Sequence, residues 1–301
     1  MKRIFACAIL ALFAIAAHAD AKRVKVFTIG NSFSQSAFRY LAQVVNSLDG
    51  CEVEFDGAIL GGCTLKRHWE NIEKEESSPE TKFYKNKKAS MRELLQSRKW
   101  DVVTIQQASH DSWRPETYQP YADNIVAYVK KHAPQAKIVI QQTWSYRADA
   151  PQLKKWGIDQ TEMFAKLEKN YRELSEHFAA EVIPTGLAVQ IARRTQPEDC
   201  SIFAKEALES LPEGKAPDQS KFVVGTTRRQ KNGGFKSDHI HLNHRGQYMQ
   251  SCLWAGFLFG KNPEEVSYKP DSMEQSDAKF LRECASKALK EYKQTGIAPG
   301  K

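Results

Sequence analysis

The chain has 301 residues, 41% of them hydrophobic and 27% charged, with a formal net charge of +8. That is enough for one sizeable α/β domain with a full core. The Lys-rich stretches at 82–88 and 228–236 carry little aromatic interleaving, so the basic balance reads as a solvated surface or a taste for acidic substrates, not as a nucleic-acid signature.

The N-terminus reads as a targeting segment. Lys2 and Arg3 precede an apolar run at 4–17, and Ala17-His18-Ala19 has the small-x-small pattern of a cleavage site. Residues 1–19 are therefore expected to be a signal peptide and the mature chain to start at Asp20, secreted or periplasmic and no longer attached to a membrane. Cleavage would take the charge from +8 to +6, because the segment holds Lys2, Arg3 and no acidic residue. Five cysteines then remain (Cys51, Cys63, Cys200, Cys252 and Cys284), and an oxidising compartment makes one or two disulfides plausible.

The mature chain alternates strand and helix. Residues 24–29 form a continuous apolar run ended by Gly30, as a buried parallel strand does. Phe38, Leu41, Val44, Val45 and Leu48 then recur at helical spacing up to Gly50. A short strand at 53–55 leads into a glycine loop at 57–62. Further strands are expected at 100–106, 137–141 and 181–184, with helices at 121–132 and 161–179 between them. The stretch 195–236 is scattered with Pro, Gly and charge and reads as irregular; helices at 246–259 and 276–292 close the chain. Five strands alternating with helices predict a three-layer α/β/α fold on a flavodoxin-like five-stranded parallel sheet, in one domain spanning 20–301. In such sheets ligands bind at the carboxyl ends of the strands, where Gly30-Asn31-Ser32, Gly61-Gly62, Gln106-Gln107 and Gln141-Gln142 all fall.

Two of these segments carry chemistry. The first strand delivers Ser32 on a glycine turn, and about 200 residues later Ser237-Asp238-His239-Ile240-His241-Leu242 supplies an Asp-x-x-His element. A serine hydroxyl becomes a useful nucleophile when an imidazole takes its proton and a carboxylate fixes the imidazole's tautomer. Ser32, His241 and Asp238 fill those roles. Competing readings are a helix N-cap for Ser32, with Ser34 and Ser36 as equivalents, and His239 or His244 as the base. Cys63 beside Gly61-Gly62 is a weaker nucleophile candidate, with no base near it in sequence.

These blocks resemble the SGNH (GDSL-type) hydrolases. Gly30-Asn31-Ser32 stands where that family has Gly-Asp-Ser, Gly61-Gly62-Cys63-Thr64 where it has its oxyanion glycine, and Asp238 with His241 matches its Asp-x-x-His unchanged. The family's Gly-x-Asn block is missing; Gln107, after the third strand, is the nearest side-chain amide. The resemblance implies catalysis by Ser32, His241 and Asp238, and an oxyanion hole made by Ser32, Gly62 and Gln107, without metal or organic cofactor. It also implies a carbohydrate ester as substrate, an acidic glycan among the options. A lysophospholipase or thioesterase, and a non-catalytic glycan-binding protein, are the alternatives. Trp69, Trp113, Trp144 and Tyr146 lie just past expected strand ends and are candidates to stack on sugar rings. Arg67, His68, Arg114 and Arg147 are candidates to meet a substrate carboxylate or sulfate.

Overall fold

A computed structural model of the chain describes residues 21–294. The expected signal peptide lies outside them. In chain order, β1 (Lys22–Gly30) leads through α1 (Ser32–Asn46) to β2 (Cys51–Ile59), and α2 (Leu65–Ser77) and α3 (Met91–Gln96) lead to β3 (Val102–Ile105). Then follow α4 (Tyr121–His132), β4 (Lys137–Gln141), α5 (Pro151–Trp156), α6 (Gln160–Phe178), β5 (Glu181–Ile183), α7 (Thr185–Thr195) and α8 (Lys205–Glu209). The chain closes with a hairpin, β6 (Val224–Arg229) and β7 (Phe235–Leu242), and the helices α9 (His244–Phe259) and α10 (Gln275–Gln294).

The first five strands are all parallel, in the order β2-β1-β3-β4-β5. Helices cover both faces, which makes the expected three-layer α/β/α architecture. Helices α1, α7, α9 and α10 pack on one another, and α2, α3 and α4 pack together. Val26, Phe27 and Ile29 of β1 are fully buried, as a strand covered on both faces requires. Phe27 packs on Trp100, and Phe38 of α1 stacks on Phe55 of β2 at 4.4 Å. Helix α9 lies between α1 and α10 and is buried nearly all round, which accounts for apolar residues on every side of it.

The strand order reverses at β1: β2 lies to one side and β3 to the other. This switch point is where the loops after β1 and β3 part and leave a crevice. Ser32 sits at it.

The stretch expected to be irregular contains the β6–β7 hairpin, an antiparallel ribbon separate from the main sheet. Helices α2, α3, α5, α7 and α8 were also not expected from periodicity. None of the five cysteines in the described residues is disulfide-bonded, contrary to the expectation of one or two bridges.

Candidate active site

Ser32 is the first residue of α1, and its neighbour Asn31 is the cap. The Asn31 side-chain oxygen accepts from Phe33 N–H at 3.0 Å and from Gln106 Nε2 at 2.7 Å. Its Nδ2 donates to the Cys63 carbonyl at 3.1 Å. Asn31 therefore caps the helix and ties it to the glycine loop, so the Ser32 hydroxyl is left free of capping. Ser34, the alternative cap, donates to Gln106 Oε1 at 2.7 Å.

The Ser32 Oγ lies 2.9 Å from His241 Nε2, and His241 Nδ1 lies 2.7 Å from Asp238 Oδ2. The other carboxylate oxygen, Oδ1, accepts from the backbone N–H of Ile240 at 2.8 Å and of His241 at 3.0 Å. Burial raises the pKa of the Asp238 carboxyl, but the bonds from the His241 ring and the two N–H groups outweigh it and hold it well below the usual carboxylate range. An ionised carboxylate only accepts, so Nδ1 carries the proton and Nε2 presents its lone pair to the serine hydroxyl. That is the tautomer a general base needs.

Asp238 and His241 are three apart in β7, and a regular strand would point them to opposite faces. The β6–β7 register shifts between Val224 and Thr226, and this bulge brings both side chains to one side. Gly225 sits at the shift with φ +83°, and a Cβ there would lie 2.6 Å from the Asp238 carbonyl.

Several contacts hold the imidazole in place. Phe33 meets the His241 ring edge-on at 5.6 Å and stacks on Trp144 at 3.9 Å. Trp144 Nε1 donates to the Ile240 carbonyl at 2.8 Å, and Arg147 N–H donates to the His239 carbonyl at 2.9 Å. The loop after β4 thus clamps the Asp-x-x-His segment. The other candidate bases face elsewhere: His239 lies 3.6 Å from Asp149, and His244 opens α9. Cys63 is fully buried, and burial pushes its thiol up to about 12, so it supplies no thiolate.

The register pairs Gly30 with Ile59, and Leu60 N–H donates to the Gly30 carbonyl at 3.2 Å, which brings the loop at 60–63 alongside the Ser32 turn. Gly62 there has φ +59°. The backbone N–H groups of Ser32 and Gly62 donate to no atom of the described residues. Both remain available to an oxyanion.

Gln107 is not. It is fully buried, its Nε2 donates to the Thr117 carbonyl at 2.9 Å and to Thr117 Oγ1 at 3.2 Å, and its oxygen accepts from Leu65 and Ala108 N–H. The expectation that Gln107 completes the hole is corrected: its amide locks the loop after β3 to α2. Gln106, the other amide, is held by Asn31 and Ser34.

The expected substrate contacts fare unevenly. Trp144 and Arg147 have no exposed surface, so neither offers a face to a ligand; Arg147 is bonded twice to Asp149 and lies 3.7 Å over the Phe203 ring. Tyr146 is buried with its hydroxyl 2.9 Å from Ser109 Oγ. Trp69 packs edge-on against Tyr128 of α4, and Trp113 packs on Trp156 beneath the Arg114 guanidinium. Both keep partial exposure. Arg67 stays exposed at the start of α2.

His68 was expected to meet a substrate anion and is instead fully buried. Its Nε2 lies 3.1 Å from the Gly30 carbonyl and its Nδ1 3.0 Å from the Tyr84 hydroxyl. Burial pushes its pKa down to about 4, against an upward pull from the Gly30 carbonyl, so it is neutral: Nε2–H donates to Gly30 and Nδ1 accepts from Tyr84. His68 supports the turn that carries Ser32. Leu65, His68, Ile72 and Glu75 are buried at helical spacing, the pattern that marks His68 as an inward residue.

Among the described residues there is no group of three or more His, Cys, Asp or Glu able to hold a metal ion, and no helix long and apolar enough to cross a membrane. Residues 25–208 match DUF4886, a domain of unknown function. No curated protein matches the sequence. Among solved structures, the chain is similar to a DUF4886 family protein from Bacteroides uniformis, with 24% identity, a TM-score of 0.68, and 89% of this chain and 95% of that one covered. Weaker likenesses are a member of the lipolytic G-D-S-L family from Veillonella parvula (10% identity, TM-score 0.43, 78% and 96% covered) and the acetylxylan esterase Axe2 from Geobacillus stearothermophilus (14% identity, TM-score 0.42, 82% and 95% covered).

Proposed function

The chain belongs to the DUF4886 family, and on that premise we propose that it is a secreted serine esterase that removes small acyl groups, such as O-acetyl, from a carbohydrate. The observation that carries this reading is the continuous bond chain Ser32 Oγ–His241 Nε2 and His241 Nδ1–Asp238 Oδ2 at 2.9 and 2.7 Å.

Each step of the proposed reaction draws on a named group of this chain. His241 Nε2 takes the hydroxyl proton as Ser32 Oγ attacks the ester carbonyl, and Asp238 stabilises the imidazolium that forms. Negative charge then develops on the carbonyl oxygen beside the first turn of α1, where the Ser32 and Gly62 N–H groups and the helix N-terminus favour it. His241 returns the proton to the departing sugar hydroxyl and leaves an acyl-serine. A water molecule, deprotonated by the same nitrogen, releases the acid and restores Ser32.

A carbohydrate ester suits the surroundings. The Asp238 and His241 side chains are each 39% exposed, and the groove that Asp238 lines is walled by hydroxyl, amide and charged side chains such as Thr226, Gln230 and Lys236, which suits an ester on a hydrated scaffold more than a long acyl chain. The buried Gln107 favours one rival reading, a glycan-binding protein, because a missing oxyanion donor typically lowers the rate about 10²- to 10³-fold. The intact Ser–His–Asp chain weighs the other way, since binding alone has no use for it.

The experiment is hydrolysis of an aryl acetate and labelling by a fluorophosphonate probe, in the wild type and in Ser32→Ala. Turnover and labelling that vanish together in Ser32→Ala support the esterase; an unlabelled, inactive wild type that still binds glycan supports the rival.

A further inference from the structure

The β6–β7 ribbon that carries Asp238 also carries two cations with no visible employment. Opposite residues of an antiparallel pair share a face, and successive pairs alternate. Thr226 pairs with Asp238, Thr227 with Ser237, Arg228 with Lys236 and Arg229 with Phe235. Thr227 and Ser237 turn inward: Thr227 is buried and their hydroxyls are 2.8 Å apart. Arg228 and Lys236 therefore share the outer face with Asp238, about 7 Å further along the ribbon.

The two arginines of β6 are treated very differently. Arg229 lies over the Phe235 ring and donates to the carbonyls of Leu211, Pro212, Lys215 and Gly233. The side chains of Arg228 and Lys236 make no hydrogen bond or ion pair with any described residue. Like charges directly opposite on a ribbon repel. Asp238, the carboxylate on their face, has both oxygens committed to His241 and the backbone. The two cations and Asp238 line one groove of about 410 Å³.

We infer that Arg228 and Lys236 form an anion subsite in the groove they share with Asp238, and that the substrate is a glycan whose carboxylate or sulfate reaches that groove from the ester that Ser32 attacks. The inference rests on the esterase reading for the end of the substrate that reacts, and it adds the substrate class: an acidic glycan long enough to reach past Asp238. An anion bridging the two side chains relieves their repulsion, and one ligand group is thereby favoured by two charges. Each exposed ion pair is expected to contribute a few-fold, so together they give about tenfold.

The test compares an acetylated oligoglucuronide, its neutral uronate methyl ester and an acetylated gluco-oligosaccharide 6-sulfate. The wild type should have a kcat/KM about tenfold higher for the glucuronide or the sulfate than for the neutral ester, and high salt should shrink that ratio. In the double variant Arg228→Gln, Lys236→Gln the ratio should fall to near one. Equal turnover of charged and neutral substrates by the wild type, or a ratio that survives the double substitution, overturns the subsite. A preference for sulfate over carboxylate, or the reverse, assigns the anion.

Calorimetric binding of the same three compounds to Ser32→Ala separates this inference from the esterase reading. Charge-selective binding without wild-type turnover or fluorophosphonate labelling keeps the subsite and sinks the esterase; turnover without charge selectivity does the opposite. The Tm of ligand-free Arg228→Gln gives an independent readout. Relief of repulsion predicts a rise, and a fall would make the pair structural and overturn the assignment.

Discussion

Acidification should loosen the nucleophile turn through His68. In the folded chain this imidazole is neutral, its pKa lowered from 6.5 to about 4 chiefly by burial. In the unfolded chain it takes up a proton near its ordinary value. The stabilisation from keeping it buried and neutral is therefore complete above about pH 6.5 and is lost as the pH falls towards 4. At about 1.4 kcal/mol per pH unit, the whole window is worth about 3 kcal/mol. That is a large share of the roughly 5–15 kcal/mol that holds a typical domain together.

His68→Gln isolates this effect. A glutamine can keep a donor where Nε2 stands, opposite the Gly30 carbonyl, but it has no proton to gain in this range. Tyr84 loses its acceptor in the variant, a cost of about 1 kcal/mol that does not depend on pH here. Urea midpoints followed by tryptophan fluorescence at several pH values between about 7.5 and 4.5 should show the wild type more stable at the upper end. The gap should close, and then reverse, by about 2–3 kcal/mol in total at the lower end. Asp238, whose pKa is lowered, contributes stability that is present above its ordinary value near 3.8 and lost only below it, outside this window. Parallel curves for the two proteins would refute the assignment of His68 as a buried neutral support.

Three further outcomes follow from the site. Ser32→Ala and His241→Ala should each lower aryl acetate turnover at least about 10³-fold, and Asp238→Asn by about 10³- to 10⁴-fold because the tautomer is no longer fixed; steady-state kinetics on folded variants decide this. Gln107→Ala should lower the Tm, at about 1–3 kcal/mol for the buried partners it leaves unpaired, while kcat changes less than about tenfold. A hundredfold loss of kcat at an unchanged Tm would restore Gln107 to the oxyanion hole. Asn31→Asp should also destabilise, by about 1–3 kcal/mol in urea melts, because the aspartate loses the donor to Cys63 and sets a carboxylate against that carbonyl.

How much of this was readable depends on what each segment is buried against. The inner strands β1, β3 and β4 carry continuous apolar runs because both their faces are covered, and 137–141 falls where β4 (Lys137–Gln141) stands. The β6–β7 ribbon was not readable as strand: Thr226, Arg228 and Lys236 face solvent, and the inward Thr227 and Ser237 are polar as well, so no apolar alternation marks it. The juxtaposition of Asp238 and His241 with Ser32 was still legible, since a serine–imidazole–carboxylate chain constrains residue types wherever they fall. Gln107 misled for the opposite reason. Its place after a strand was legible, but adjacent residues leaving a strand point to opposite sides, and Gln107 turned to Thr117 while Gln106 took the side of Asn31.

Trp144 shows the same limit and gives a way to test it. An aromatic just past a strand end reads equally well as a sugar platform or as packing, and only the third dimension shows β7 lying over it. The structure makes it a positioning residue: its ring stacks on Phe33, which meets the His241 ring, and its Nε1 holds the Ile240 carbonyl. Trp144→Phe keeps much of the stacking and removes the Nε1 bond, so the segment between Asp238 and His241 loses one of its anchors. A displacement of about 1 Å in a catalytic group can cost up to about a hundredfold. We expect kcat to fall about tenfold with KM little changed, and the Tm to fall as well, because a buried carbonyl loses its donor. A rise in KM at an unchanged kcat would instead make Trp144 the ligand platform that its sequence position suggested.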